Sequence, residues 1–396
     1  MADRYYISDL EYGEEEETAV LRVLKSRWLT MGPLTEEFEN AFSRILNGCG
    51  CALVSNGTAA LHLALHVLGV GPGDEVILPS LTFAATANVV VQCGGKCVFA
   101  DIESLSIPLI SPGDVKTRIG PRTRVIMPVH YAGFPASMKE LERIAEKERQ
   151  RRKREGETRP LYIVEDAAHA AGAQDLNGRA LGAIGDIGCF SFFSNKNIAT
   201  GEGGLIATGN KKILERIKLI RSHGLTHQTW ERHNKAKDDS PYIYDMMEPG
   251  YNYRPTEITA ALGLAQLGKL NRINNKRRRL FERFHEKAKD LEFLILPFSG
   301  KDPWGKPSYH ILPILLKDGP TRIKAGNILD QAGIQTSHHY RPVHTMSYYR
   351  KVNPKGGAGL GKTEEYALRE LTLPLHPKLR IKDMDYILKT LQKAIQ

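Results

Sequence analysis

The chain has 396 residues, 41% of them apolar and 25% charged, with a formal net charge of +10. That suits two or three domain-sized units of globular protein and leaves no room for a low-complexity or repeat chain. Five cysteines form an odd, sparse set, which excludes a disulfide framework and suggests a reducing compartment.

Residues 1–17 are polar and acidic, so no signal peptide is visible, and 76–91 is too short and too polar to span a bilayer. A cytoplasmic location with no membrane contact is expected. Cys49-x-Cys51 and Cys93-x3-Cys97 could be arranged as zinc ligands. All the cysteines but Cys49 sit in or beside apolar strand-like runs, however, where small buried thiols are common, so no metal is expected. The basic runs 147–154 and 276–279 follow helical patterns and read as solvated helix faces. No nucleic-acid partner is expected; the excess charge fits an anionic small substrate equally well.

Taken in order, 11–27 and 35–46 read as helices, the second with acidic residues in its first turn. Residues 51–55 form an apolar strand that runs into Asn56-Gly57-Thr58-Ala59 and a helix over 61–68. Strand, small polar turn and helix together point unpaired backbone N–H groups at an anion, although the same letters also make an ordinary N-cap. Strands at 75–78, 96–100, 125–129 and 161–164 then alternate with helices at 82–92, led by Phe83, and 138–154. Repeated βα units imply a mostly parallel sheet covered on both faces, with ligands bound beyond the carboxyl ends of its strands.

Asp166 and His169 follow one such strand end. A carboxylate there is costly unless it meets a cation or caps a helix. The run 188–193 and its return 204–208 read as two buried strands joined by a Gly-punctuated loop that carries Lys196. Burial would lower that amine toward a neutral nucleophile. Residues 211–221 read as a helix, and 222–248 as an irregular polar stretch of a length that suggests function. A turn at 250–255, a small-residue helix from Glu257 and a long basic helix to Leu291 come next. The runs 293–316, 336–340 and 383–395 suggest a smaller α+β domain. The boundary is expected near residue 270, giving a large domain over 1–270 and a small one over 271–396.

Three signals converge on one ligand. A phosphate cradle (Gly57, Thr58, Ser191), a buried carboxylate (Asp166) and a loop lysine (Lys196) match the three ends of pyridoxal phosphate, whose protonated ring nitrogen an aspartate stabilises. The glycine fingerprints of dinucleotide and ATP sites are missing.

The chain resembles the DegT/StrS-type sugar aminotransferases of fold type I, almost end to end. The resemblance rests on Trp28-Leu-Thr-Met-Gly-Pro33, Ser55-Asn-Gly-Thr-Ala-Ala-Leu61, Pro79-Ser-Leu-Thr-Phe-Ala-Ala-Thr-Ala-Asn88, Glu165-Asp-Ala-Ala-His169, Ser191-Phe-Phe-Ser-Asn-Lys196, Gly201-Glu-Gly-Gly204, Gly250-Tyr-Asn-Tyr-Arg254 and Leu373-Pro-Leu375. It implies an α/β fold with a large mostly parallel sheet domain and a small carboxyl-terminal α+β domain. Lys196 is then the lysine that carries the cofactor as an internal aldimine and shuttles the proton, with pyridoxamine phosphate as the intermediate. Asp166 is the ring-nitrogen partner and Phe83 the stacked aromatic. His169 lies near the ring hydroxyl, where the family often has Gln; its titration would make activity pH-sensitive. Gly57, Thr58, Ala59 and Ser191 hold the phosphate, and Asn252 reaches the cofactor of the neighbouring subunit in a homodimer. Thr30, Gly32 and Arg254 are the candidate substrate contacts. The implied reaction moves an amino group from an amino acid, with glutamate expected, to a nucleotide-linked keto sugar by ping-pong kinetics. A keto-cyclitol acceptor, a pyridoxamine-phosphate-dependent sugar dehydratase and a non-enzymatic regulator are the alternatives; Lys196 stands against the dehydratase, whose relatives carry His there.

Overall fold

The computed structural model describes residues 4–226, 244–299 and 304–395. Helices α1 (Glu14–Ser26) and α2 (Pro33–Ile45) precede strand β1 (Gly50–Val54). The alternation continues with α3 (Gly57–Val67), β2 (Glu75–Pro79), α4 (Ala84–Gln92), β3 (Lys96–Ala100), α5 (Pro112–Arg118), β4 (Thr123–Ile126), α6 (Met138–Arg154) and β5 (Tyr162–Asp166). Strands β6 (Ile187–Ser191) and β7 (Gly204–Thr208) lead into α7 (Lys211–Ile220).

Among the described residues these strands form a seven-stranded sheet in the order β1-β7-β6-β5-β4-β2-β3. Every neighbouring pair is parallel except those of β7, which runs against both β1 and β6. Nearly every side chain of these strands away from the sheet's edges is buried, as expected where helices cover both faces. Because β7 is reversed, its first residue Gly204 pairs with both Val54 and Ser191. The carboxyl ends of β1 and β6 and the start of β7 therefore meet at one point. The approach is tight: a Cβ on Gly204 would lie 2.4 Å from the Asn56 carbonyl carbon, so only glycine fits there.

The remaining elements are α8 (Glu257–Ala288), β8 (Leu312–Leu315), α9 (Gly319–Gln331), α10 (Ser347–Val352), α11 (Gly361–Arg369), β9 (Glu370–Leu373) and α12 (Ile381–Ile395). β8 and β9 pair antiparallel in a second sheet.

Several expectations are corrected. The two helices expected after Glu257 are one continuous helix of 32 residues. Gly263 does not break it, because that glycine admits the Phe38 ring of α2, which a Cβ would approach to 2.8 Å. Residues 336–340 meet the second sheet at the bridge Ser337–Thr372, and β8 takes β9 as its strand partner, a strand that the sequence pattern does not announce. The helix expected from Thr82 begins at Ala84, with Phe83 extended at the N-cap.

The basic runs are not uniformly solvated. Arg152 of α6 is buried, donating to the Gly120 and Arg159 carbonyls and to Glu148, and Arg277 of α8 is buried against the His310 and Leu375 carbonyls. Long arginine stems suit such partly apolar surroundings. Of the polar stretch 222–248, residues 227–243 lie outside the described residues.

Candidate active site

A cavity of about 670 Å³ opens at the meeting point of β1, β5, β6 and β7. Gly57, Thr58, Ala59, Phe83, Asp166, His169, Ser191 and Lys196 all line it. Residues scattered over 140 positions of sequence are thus gathered by the strand ends, as a parallel sheet requires.

The anion-binding end is built by α3. The Asn56 side chain accepts from the Ala59 amide at 2.8 Å and so caps the helix. Ala59 borders the cavity, but its N–H is already engaged. The amides of Gly57 and Thr58 meet no acceptor among the described residues, and they start a helix of 11 residues whose dipole favours an anion. Ser191 closes the cradle from β6: a Cβ on Gly57 would lie 2.8 Å from its Cβ.

Asp166 ends β5 and is 4% exposed. Its Oδ1 accepts from the Ala168 amide at 3.1 Å and its Oδ2 from the Thr86 hydroxyl at 2.8 Å. Burial pushes its carboxyl up, while the Thr86 and Ala168 hydrogen bonds and the Lys196 and His130 charges pull it back down.

Lys196 sits in the β6–β7 loop, which folds onto itself through Lys196 N to the Phe193 carbonyl at 2.8 Å and Thr200 N to the Phe192 carbonyl at 2.9 Å. Ile198 and Ala199 anchor it in the core. The next residue, Asn197, donates to the Asn274 side chain at 2.7 Å and the Ser308 carbonyl at 2.8 Å, tying the loop to α8 and to the segment before β8. By exposed area Lys196 is half-buried, because it opens onto the cavity, yet protein surrounds its amine. Burial lowers that amine from 10.5 to about 8, with the Asp166 charge opposing the shift.

His169 is buried; its Nε2 lies 3.1 Å from the Tyr340 hydroxyl and its Nδ1 meets no partner among the described residues. Burial, then the Lys196 and His339 charges, hold it well below the ordinary histidine range. It is therefore neutral near pH 7, and the pH sensitivity expected of it is displaced toward acid. Phe83 is 62% exposed at the mouth, its ring 6.0 Å from that of Tyr340.

The other expected residues lie outside this cavity. Asn252 is exposed and bridges to Ser222. Thr30 bridges to Thr256, and the Gly32 amide donates to Glu257 at 2.9 Å. Arg254 is half-buried and does not line the cavity. Conversely, Thr82, Thr86, Asn195, His339 and Tyr340 line it without having been singled out. Thr82 and Thr86 stood inside a quoted motif, where their four-residue spacing was the available signal.

The donor set fits pyridoxal phosphate. Two unpartnered amides at a helix start suit its phosphate, and a buried carboxylate beside them in the cavity suits its ring nitrogen. Fold and site together define a pyridoxal-phosphate-dependent enzyme of fold type I. The sequence profile of the DegT/DnrJ/EryC1/StrS aminotransferase family matches residues 11–392, and the chain belongs to that family. The spore coat polysaccharide biosynthesis protein SpsC of Bacillus subtilis is 33% identical over 388 residues, covering 97% of this chain and 95% of SpsC. Spr1654 of Streptococcus pneumoniae in its PLP form superposes with a TM-score of 0.89 at 28% identity, covering 99% of both chains; it has also been solved in a PMP form. The sugar aminotransferase CalS13 of Micromonospora echinospora gives 0.86 at 26%, covering 98% of this chain and 99% of its own.

Proposed function

We propose that this protein transfers an amino group from an amino acid, glutamate being the expected donor, to the keto group of a nucleotide-linked sugar. The convergence of Lys196, Asp166 and the Gly57–Thr58 amides in one cavity carries this reading. The family and the sugar chemistry in the names of CalS13 and SpsC support the acceptor class.

The bound cofactor supplies an electron sink for the carbon that loses its proton. The chain does the rest. Gly57 and Thr58 amides with Ser191 hold the phosphate, Asp166 keeps the ring nitrogen protonated, and Phe83 covers the ring. Lys196 would anchor the cofactor and, as a free amine, would hold and move the proton. With its amine lowered to about 8, the free base at pH 7 is roughly 300-fold more abundant than for a solvated lysine. Each amino acid must leave as a keto acid before the sugar enters, so the kinetics are ping-pong. Asn252, exposed beside the cavity-lining Tyr253, is assigned to the site of a partner subunit. The boundary between a large and a small domain is assigned to α8 near residue 270. Ala260 and Leu270 share a core with Phe38, whereas Leu280, Phe281 and Phe284 share one with Leu312 and Leu371.

The purified protein is expected to be yellow, to lose that colour when glutamate is added, and to be colourless as Lys196→Ala. A protein that takes up no cofactor would refute the reading. Colour that glutamate leaves unchanged, while another amino acid discharges it, would replace the donor alone.

A further inference from the structure

Beside Asp166, in the wall of the same cavity, two buried hydroxyls stand in line. Thr82 and Thr86 are each 1% exposed; their Oγ1 atoms are 2.7 Å apart, and Thr86 Oγ1 donates to Asp166 Oδ2 at 2.8 Å. A hydroxyl carries one proton. Since Thr86 gives its own to the carboxylate, Thr82 must be the donor to Thr86, and the proton direction runs Thr82 to Thr86 to Asp166. A threonine on a helix ordinarily turns its hydroxyl back to the carbonyl four residues before it. Thr86 instead points across to β5, and Phe83 at the N-cap stays extended so that Thr82 falls behind it.

We propose that Thr86, oriented by Thr82, is the positioning residue that holds Asp166 ionised and in place for the cofactor's ring nitrogen. This rests on the reading that the cavity binds that cofactor through Asp166. Among the described residues no other side chain donates to the carboxylate; the Ala168 amide takes the other oxygen. Protonating Oδ2 would force Thr86 to accept, and both hydroxyls would have to turn. The relay therefore resists neutralisation of a carboxylate that burial favours neutralising.

The test is the binding of pyridoxamine phosphate, which needs no covalent bond to Lys196, to cofactor-free protein, followed by fluorescence at about pH 8 and about pH 6. Thr86→Val keeps the shape and removes the donor. It is expected to weaken binding roughly tenfold at the higher pH and by a larger factor at the lower, as Asp166 takes up a proton. Thr86→Ser should return binding to within about twofold of the parent, and Thr82→Val, which leaves the contact to Asp166 intact, should give a smaller loss with the same pH trend. Comparing each variant with the parent at the same pH cancels the titration of the ligand itself. Thr86→Val binding like the parent at both pH values, or Thr86→Ser as weak as Thr86→Val, would overturn the proposal. Should Thr86→Val not fold, a pH-independent Thr82→Val would do so. A parent that binds no pyridoxamine phosphate refutes the cofactor reading instead.

Discussion

Lys196 and Asp166 restrain each other. Burial lowers the amine and raises the carboxyl, and each charge opposes the shift of the other. The balance leaves the lysine at about 8 against 10.5 when solvated, so the folded apoprotein binds that proton more weakly than the unfolded chain does. Between those two values the unfolded state holds the extra proton, and stability rises with pH across the window; below about 8 the full penalty applies. After allowance for the side chain's opening onto the cavity, that penalty is on the order of 2 kcal/mol. Cofactor-free Lys196→Met is therefore expected to be more stable than the parent at neutral pH and to lose the advantage by about pH 10. Urea unfolding across pH measures it; an advantage that persists at high pH would mean packing, not charge, is the cause.

Glu165 and Asp166 show how one strand divides two tasks. Successive residues of β5 face opposite ways. Asp166 faces the cavity, while Glu165, fully buried, accepts from His130 Nε2 at 2.9 Å and from the amides of Gly182, Ile184 and Gly185 at 2.9, 2.7 and 2.6 Å. It thereby fixes the turn leading into β6. Glu257, at the start of α8, does the same for α2: it accepts from the amides of Gly32, Leu34 and Thr35 and from the Thr35 hydroxyl. Glu257→Ala would leave that helix start unpaired and is expected to cost about 3 kcal/mol by chemical denaturation; a loss below about 1 kcal/mol would show that water replaces the carboxylate. Such clamps explain what could be read from sequence. Strand ends followed by small polar turns carry a local signature, so Gly57, Asp166, Ser191 and Lys196 were legible as a group. Glu165, Glu257, Thr86 and Tyr340 act through partners tens to hundreds of residues away. Nothing local separates them from a surface glutamate, a helix threonine or a core tyrosine.

The net charge of +10 is less available than it looks in sequence. In α6, Arg149 pairs with Asp186, Arg151 with Glu148, Glu155 and Glu157, and Arg152 with Glu148. The cavity itself shows Lys196 and no arginine among the described residues that line it. Among the described residues, then, the walls hold no guanidinium to meet an anionic donor or a nucleotide, and Asn252, which is exposed, lies outside them. Both facts fit a site completed by a second subunit. Two large apolar side chains that line it, Phe83 and Phe193, are also well exposed in the single chain. If Asn252 serves the partner's cofactor, Lys196→Ala and Asn252→Ala damage different halves of a shared site. Each alone should be impaired at limiting cofactor. Unfolded together and refolded as a mixture, half the dimers would be mixed, each with one intact site, so about a quarter of the parental activity is expected to return. Activity no greater than the average of the two separate variants would place Asn252 in its own subunit's site or in none.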